Sequence, residues 1–249
     1  MSEQITYYPD GKTRERCFLV DGQLEGEMTS YDEAGNLLTR ATFKAGKLEG
    51  EALSYGPDGH VTQKATFVDG VLEGPVSIFG PDTWIVQKMN YHAGEANGES
   101  LTYRNGAIET RSNYAKGVLE GIFISYDEVG NVIGRASYAG GKLEGESLFF
   151  NRQGDILKRV QYSNGMMNGE VIDYYESGAV RDKASYKDDK LDGESVRYFE
   201  SGLVAERAFY REGLQYGDKL EFEESGERKD GADKSAGGIR GLFARIKGQ

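Results

Sequence analysis

Apolar and polar residues alternate along the chain in short stretches, and glycine-bearing turns separate one stretch from the next. In Glu51-Ala-Leu-Ser-Tyr55, Leu53 and Tyr55 share one parity. The same spacing returns as Leu101 and Tyr103, Ile124 and Tyr126, Ile172 and Tyr174, and Val196 and Tyr198. A second kind of stretch runs like Asn36 to Phe43 and puts Leu37, Ala41 and Phe43 on one parity. Val61, Ala65 and Phe67 repeat it, as do Val180, Ala184 and Tyr186. A period of two is the signature of strands with one face toward a packed surface. The parity predicts that both kinds of strand share one apolar, aromatic-lined face, with the other face outward.

The turns carry their own signature, x-G-x-L-E-G, as in Asp21–Gly26, Ala45–Gly50 and Asp69–Gly74. Its closing glycines fall at Gly26, Gly50, Gly74, Gly98, Gly121, Gly145, Gly169, Gly193 and Gly217, a step of 24 except for the 23 from Gly98 to Gly121. The aromatic column shows the same short step from Tyr103 to Tyr126, because Tyr103-Arg-Asn-Gly106 lacks one residue. Agreement of two landmarks identifies a tandem repeat, and glycines supply the positive φ of tight hairpins. The predicted fold is all-β: an elongated single-layer antiparallel β-meander of about nine 24-residue hairpin repeats over residues 1–222, which strand twist winds into a superhelix. Residues 223–238 are polar and read as a flexible linker. In 239–249, Ile239, Leu242, Phe243 and Ile246 stand at i, i+3, i+4 and i+7, predicting a short amphipathic C-terminal helix that also bears Arg240, Arg245 and Lys247.

The G-x-L-E-G-E…Y-x-x-x-G pattern resembles the bacterial variant of MORN repeats, the antitoxin-like repeat proteins, over about residues 5–226. The resemblance implies a MORN-like β-sheet used as an interaction surface. Such arrays serve as scaffolds, lipid-associated platforms and toxin-neutralising proteins, and the resemblance supplies no catalytic residue.

Charge narrows the partners. The net charge of -11 repels nucleic acid, whose phosphates need clustered Lys and Arg, and favours a basic protein. Cys17 is the only cysteine, which excludes an internal disulfide. With no apolar run long enough to span a bilayer and no secretory pattern at the start, the expected location is cytoplasmic. His60 and His92 are the only histidines, and no His/Cys cluster has metal spacing. No nucleophile has an evident base, so the chain reads as a non-enzyme without cofactor or metal. One basic column (Arg40, Lys64, Lys88, Arg111, Arg135, Arg159, Lys183, Arg207) could be mistaken for a polyanion track. Two acidic columns, Glu25/Glu49/Glu73/Glu120/Glu144/Asp192 and Glu27/Glu51/Glu99/Glu146/Glu170/Glu194, argue instead for cross-strand charge pairs.

In a repeat, departures from consensus carry the specific information. They cluster between Phe79 and Gly106: Thr83 stands for the turn glycine, Ala96-Asn97 for Leu-Glu, and the only tryptophan, Trp84, falls here. Parity places Trp84 outward with Val76, Ile78 and Val86, followed along the same face by Phe123, Ile133 and Phe149. Toward both ends that face turns polar, with Ser30, Ser54, Ser195 and Arg197. Two readings stay open: internal packing of a curled array, or an exposed partner-binding patch anchored by Trp84, Val76, Ile78, Val86, Phe123 and Phe149. The segment holding Ile239, Leu242, Phe243 and Ile246 has three candidate receivers: the acidic array itself, an anionic membrane, or a partner's groove. The expected function is protein–protein binding, as an antitoxin or immunity-type protein against a basic toxin or effector. The alternative is a scaffold or adaptor brought to a membrane surface or partner by its C-terminal segment.

Overall fold

The computed structural model describes residues 1–229. They form strands and turns, with no helix among them. The expected C-terminal helix, with Ile239, Leu242, Phe243 and Ile246, lies outside the described residues. The chain divides into two compact units. The first comprises Met1–Gly154 with Ser163–Gly165, and the second comprises Asp155–Tyr162 with the chain from Met166 onward.

Each unit is built from antiparallel neighbours in sequence. In the first, strand Gly26–Tyr31 pairs with Leu37–Lys44, which pairs with Lys47–Tyr55, which pairs with Val61–Val68. In the second, Met166–Tyr174, Val180–Lys187, Lys190–Tyr198, Val204–Arg211 and Leu214–Glu221 follow one another in the same way. The x-G turns are two-residue hairpins with positive φ at both central positions, such as Ala45 (48°) and Gly46 (79°). This geometry matches the twist of the strands it joins.

The register corrects the expected single aromatic face. Ser30 lies opposite Thr39 but Tyr31 lies opposite Leu37, so Leu38 is an extra, bulged residue. The same irregularity recurs at Tyr55, Tyr126, Tyr174 and Tyr198. A bulge resets side-chain parity within one strand. The first aromatic column (Tyr31, Tyr55, Tyr126) therefore joins Leu37, Val61, Leu53 and the basic column on one face, called here the tyrosine face. Phe43 and Phe67, with Ala41, Ala52 and Ala65 opposite one another, occupy the other, the alanine face. In the second unit the same alanine-face row runs Val171, Ala184, Ser195, Ala208. Both faces are partly solvated. The deeply buried side chains are mostly small ones midway along strands, including Ala65, Val76, Val171 and Ala208, and Val160 is the largest that is fully buried.

The two acidic columns do different work. Residues following the turn glycine meet the basic column across the ladder: Lys64 with Glu51, Arg111 with Glu99 at 3.2 Å, Lys183 with Glu170 at 2.6 Å, and Arg207 with Glu194 at 3.0 Å. The carboxylates preceding the glycine accept a backbone N–H from the next turn, 20 residues on. Ala45 donates to Glu25 at 2.8 Å, Asp69 to Glu49 at 2.9 Å, Ala93 to Glu73 at 2.8 Å and Asn164 to Glu144 at 2.8 Å. In the second unit Glu212 donates to Asp192 at 3.1 Å. Each donor is a non-glycine residue at positive φ, a conformation that costs about 1 kcal/mol. A charge-assisted hydrogen bond offsets that cost.

In the second unit the alanine face also carries ions. Asp182 takes hydrogen bonds from Arg181 Nε and Arg197 Nε, each at 2.8 Å, and Lys158 lies 3.4 Å from Asp173. Burial alone would raise the Asp182 carboxyl, but the bonds from Arg197 and Arg181 outweigh it and hold the carboxyl below its ordinary range. A depressed carboxylate stabilises the fold above its unfolded pKa of about 3.9, and that contribution is lost as pH falls through the lower folded value. The melting-temperature gap between wild type and Asp182→Asn is expected to be largest near neutrality. It should narrow progressively below about pH 4, and a gap independent of pH would contradict this assignment.

Candidate partner-binding site

The candidate residues of the first unit gather on its alanine face and along its neighbouring hairpin tips. Val76 stands opposite Met89 and Ile78 opposite Gln87, while Phe123 faces Ala136 and Phe149 faces Gly134. The face is thus shared with Phe43, Phe67 and Tyr138, and is not set against an aromatic core as parity alone suggested. The Phe123 ring tilts against Tyr138 with centroids 6.0 Å apart. Val76 is buried, whereas Ile78, Val86, Ile133 and Phe149 are exposed. Val86 is the bulged residue of its strand.

The row nearest the tips shows the contrast most plainly. It holds a hydroxyl pair at Ser30 and Thr39 (2.6 Å), then Ile78, then a second hydroxyl pair at Thr102 and Thr110 (2.6 Å), and then Phe149. The matching row of the second unit holds Asp173, Asp182 and Arg197. In the first unit this row is uncharged from Ser30 to Phe149, and Ile78 and Phe149 stand in it as isolated large apolar residues among Gln63, Gln87, Ser125 and Gly134.

Trp84 sits at the tip between strands Gly74–Phe79 and Ile85–His92 and is 61% exposed. Its indole lies over Gly106, in the turn that is one residue short. Asn105 (φ 51°) and Gly106 (φ 81°) make that turn a two-residue hairpin, and a Cβ on Gly106 would fall 2.3 Å from the indole ring. Trp84, the missing residue and Gly106 thus form one packed unit. Gly106→Ala is expected to cost about 1–2 kcal/mol through its positive φ and to swing the indole off the turn, shifting its emission toward that of free tryptophan. In a Trp84→Ala background only the backbone strain should remain. Denaturation of the two single variants and the double variant would measure the difference.

Beside the shortened turn opens a cleft of about 490 Å³ whose apolar lining includes Ile108, Phe123, Val129 and Ile133. Arg104, Arg152, Glu109 and Asp127 also border it. Arg104 is paired with Glu109. Burial would raise Asp127, but hydrogen bonds from Asn131 and the Val129 N–H hold it below the ordinary carboxylate range, fixing the far tip. The cleft thus has an apolar floor and a charged rim. Among the described residues no group of His, Cys, Asp and Glu is arranged to hold a metal, and no helix is long and apolar enough to cross a membrane. The sequence pointed to Phe123 and to the short turn. It did not single out Ile108, Val129 or Arg152, which reach the cleft only because neighbouring tips stand side by side.

Comparison with known proteins agrees with the repeat geometry. Three segments match the MORN repeat variant. They are residues 24–45, 48–69 and 167–188. The first two lie in the first unit and the third in the second, and the cleft lies outside all three. In the matched MORN-variant segments, the Ala45, Asp69 and Asp188 turns each carry positive φ at the same place. No curated protein matches the chain by sequence. Among solved structures it is similar over 91% of its length, at 13% identity and a TM-score of 0.22, to a chain of the Photorhabdus luminescens Tc holotoxin pore. It is also similar over 88%, at 14% identity and a TM-score of 0.17, to one in the crystal structure of TcdB2-TccC3-TEV. The chain spans only 14% and 16% of those chains. At such TM-scores neither likeness bears on function.

Proposed function

We propose that this protein is a non-catalytic binding module that captures another protein on the alanine face of its first unit, in the manner of an antitoxin or immunity protein. The observation that carries the reading is the apolar cleft bordered by Arg104 and Ala107, the residues flanking the shortened turn on which Trp84 rests. A large exposed aromatic next to a concave apolar floor is the usual make-up of an interaction hot spot. The net charge of -11 favours a basic toxin or effector and speeds its approach. Pairing with glutamates engages Lys64, Arg111, Lys183 and Arg207 of the basic column, which fits a protein partner better than a polyanion. Affinity purification from the source cell with the full chain, beside a Phe123→Asp variant, tests the proposal. A basic protein retained by wild type and lost from the variant is the expected result. Retention of the same proteins by both would refute the assignment of this face.

A further inference from the structure

The last x-G-x-L-E-G turn is the most altered of the series. Residues 215–217 read Gln-Tyr-Gly, so Tyr216 stands where most other repeats have the carboxylate that caps the next turn. On the neighbouring strand, the position held by Thr42, Thr66, Ser137 and Ser185 in other repeats is Phe209. These two departures meet: Phe209 stands opposite Tyr216 in the ladder, with ring centroids 6.1 Å apart. The Arg211 guanidinium lies 5.5 Å from the Tyr216 ring centre. Leu214, opposite Arg211, is 76% exposed and Tyr216 is 39% exposed. A polar pair of the repeat has become an apolar patch on the tyrosine face of the second unit.

The surroundings of this patch are acidic. Residues 187–227 carry 12 acidic and 6 basic side chains, and Asp188, Asp192 and Glu212 line an adjoining hollow together with Lys187 and Lys190. The chain then returns to the same strand, because the Lys229 N–H donates to the Glu221 carbonyl at 3.0 Å. Beyond it, residues 239–247 (Ile-Arg-Gly-Leu-Phe-Ala-Arg-Ile-Lys) hold four large apolar side chains, three basic ones and no acid. Residues 230–238 can span about 30 Å, enough to bring that segment back to Tyr216.

We infer that residues 239–247 dock on the Phe209–Leu214–Tyr216 patch, with Leu242, Phe243 and the isoleucines on the rings and Arg240, Arg245 and Lys247 among the carboxylates. The segment would then be an intramolecular cover for the second unit. Hydrogen exchange on the full chain tests this. Amides of 239–247 are expected to exchange about tenfold or more slower than in an unstructured chain. Phe209→Ser with Tyr216→Glu, which restores the repeat's own residues, should abolish that slowing while the Lys190–Tyr198 strand stays protected. Charge reversal by Arg240→Glu, Arg245→Glu and Lys247→Glu, which leaves the array untouched, should do the same. Free exchange in the wild type, or slowing that survives both sets of changes, would overturn the inference. So would slowing that appears only with phosphatidylserine-containing vesicles, which would make a lipid surface the receiver.

Discussion

A chain carrying Trp84→Ala is expected to lose about 2 kcal/mol or more of affinity for the protein partner recovered by affinity purification, roughly a thirtyfold weakening. Its melting temperature should move by only a few degrees. The asymmetry follows from where the ring sits. The indole is 61% exposed and rests on the backbone of a single turn, so its removal takes little from the ladder. A partner seated on the cleft that Arg104 and Ala107 border would also cover the indole on the turn between them. Titration calorimetry and thermal denaturation on the same preparation separate the two effects. If the melting temperature falls steeply while affinity holds, the ring is a structural prop and the binding surface lies elsewhere.

The opposite profile is expected for Val160→Asp in the second unit. Val160 is 2% exposed and is the largest fully buried side chain among the described residues. A carboxylate there would be desolvated without a designed partner, and the lost packing adds to that cost. A loss of about 4 kcal/mol is expected, read as a lowered urea midpoint of the circular dichroism transition. A thin sheet has few such positions, so one bad substitution removes a large share of its limited burial. A loss below about 1 kcal/mol would mean that the sheet opens locally around residue 160 at little cost.

Much of this architecture was legible in the residues. The turn glycines and the alternation of Leu53 with Tyr55 announced hairpins, and the hairpins formed with two positive-φ residues as such turns demand. Pairing of Lys64 with Glu51 and of Lys183 with Glu170 was readable because opposite charges recurred at fixed spacing. The assignment of faces was not readable. Alternation is a property of one strand, and the bulge at Leu38 shifts parity by one residue without any signature in composition. The cleft was half legible: the short step at Arg104–Gly106 marked the place, but Val129 and Arg152 belong to other repeats and lie far off in sequence. The partnership of Trp84 with Gly106 was likewise hidden, since nothing in a one-dimensional pattern says that a missing residue makes room for an indole.

The carboxylate that reaches 20 residues forward to hold the next turn has a consequence for how such a chain can change over generations. Every link of that kind joins a cassette to its successor in the same way, so a whole cassette can be copied or lost by unequal recombination and the flanking links re-form unchanged. Asn97 and Asn168 interrupt the series of links, and at the first of these places the hairpin of Glu95–Arg104 and Ala107–Ala115 is bound in another way. It has Asn97 where the linking carboxylate belongs, and the indole of the preceding cassette lies on its turn. Descendants can therefore differ in length on either side of it, while that hairpin and Trp84 must be inherited together.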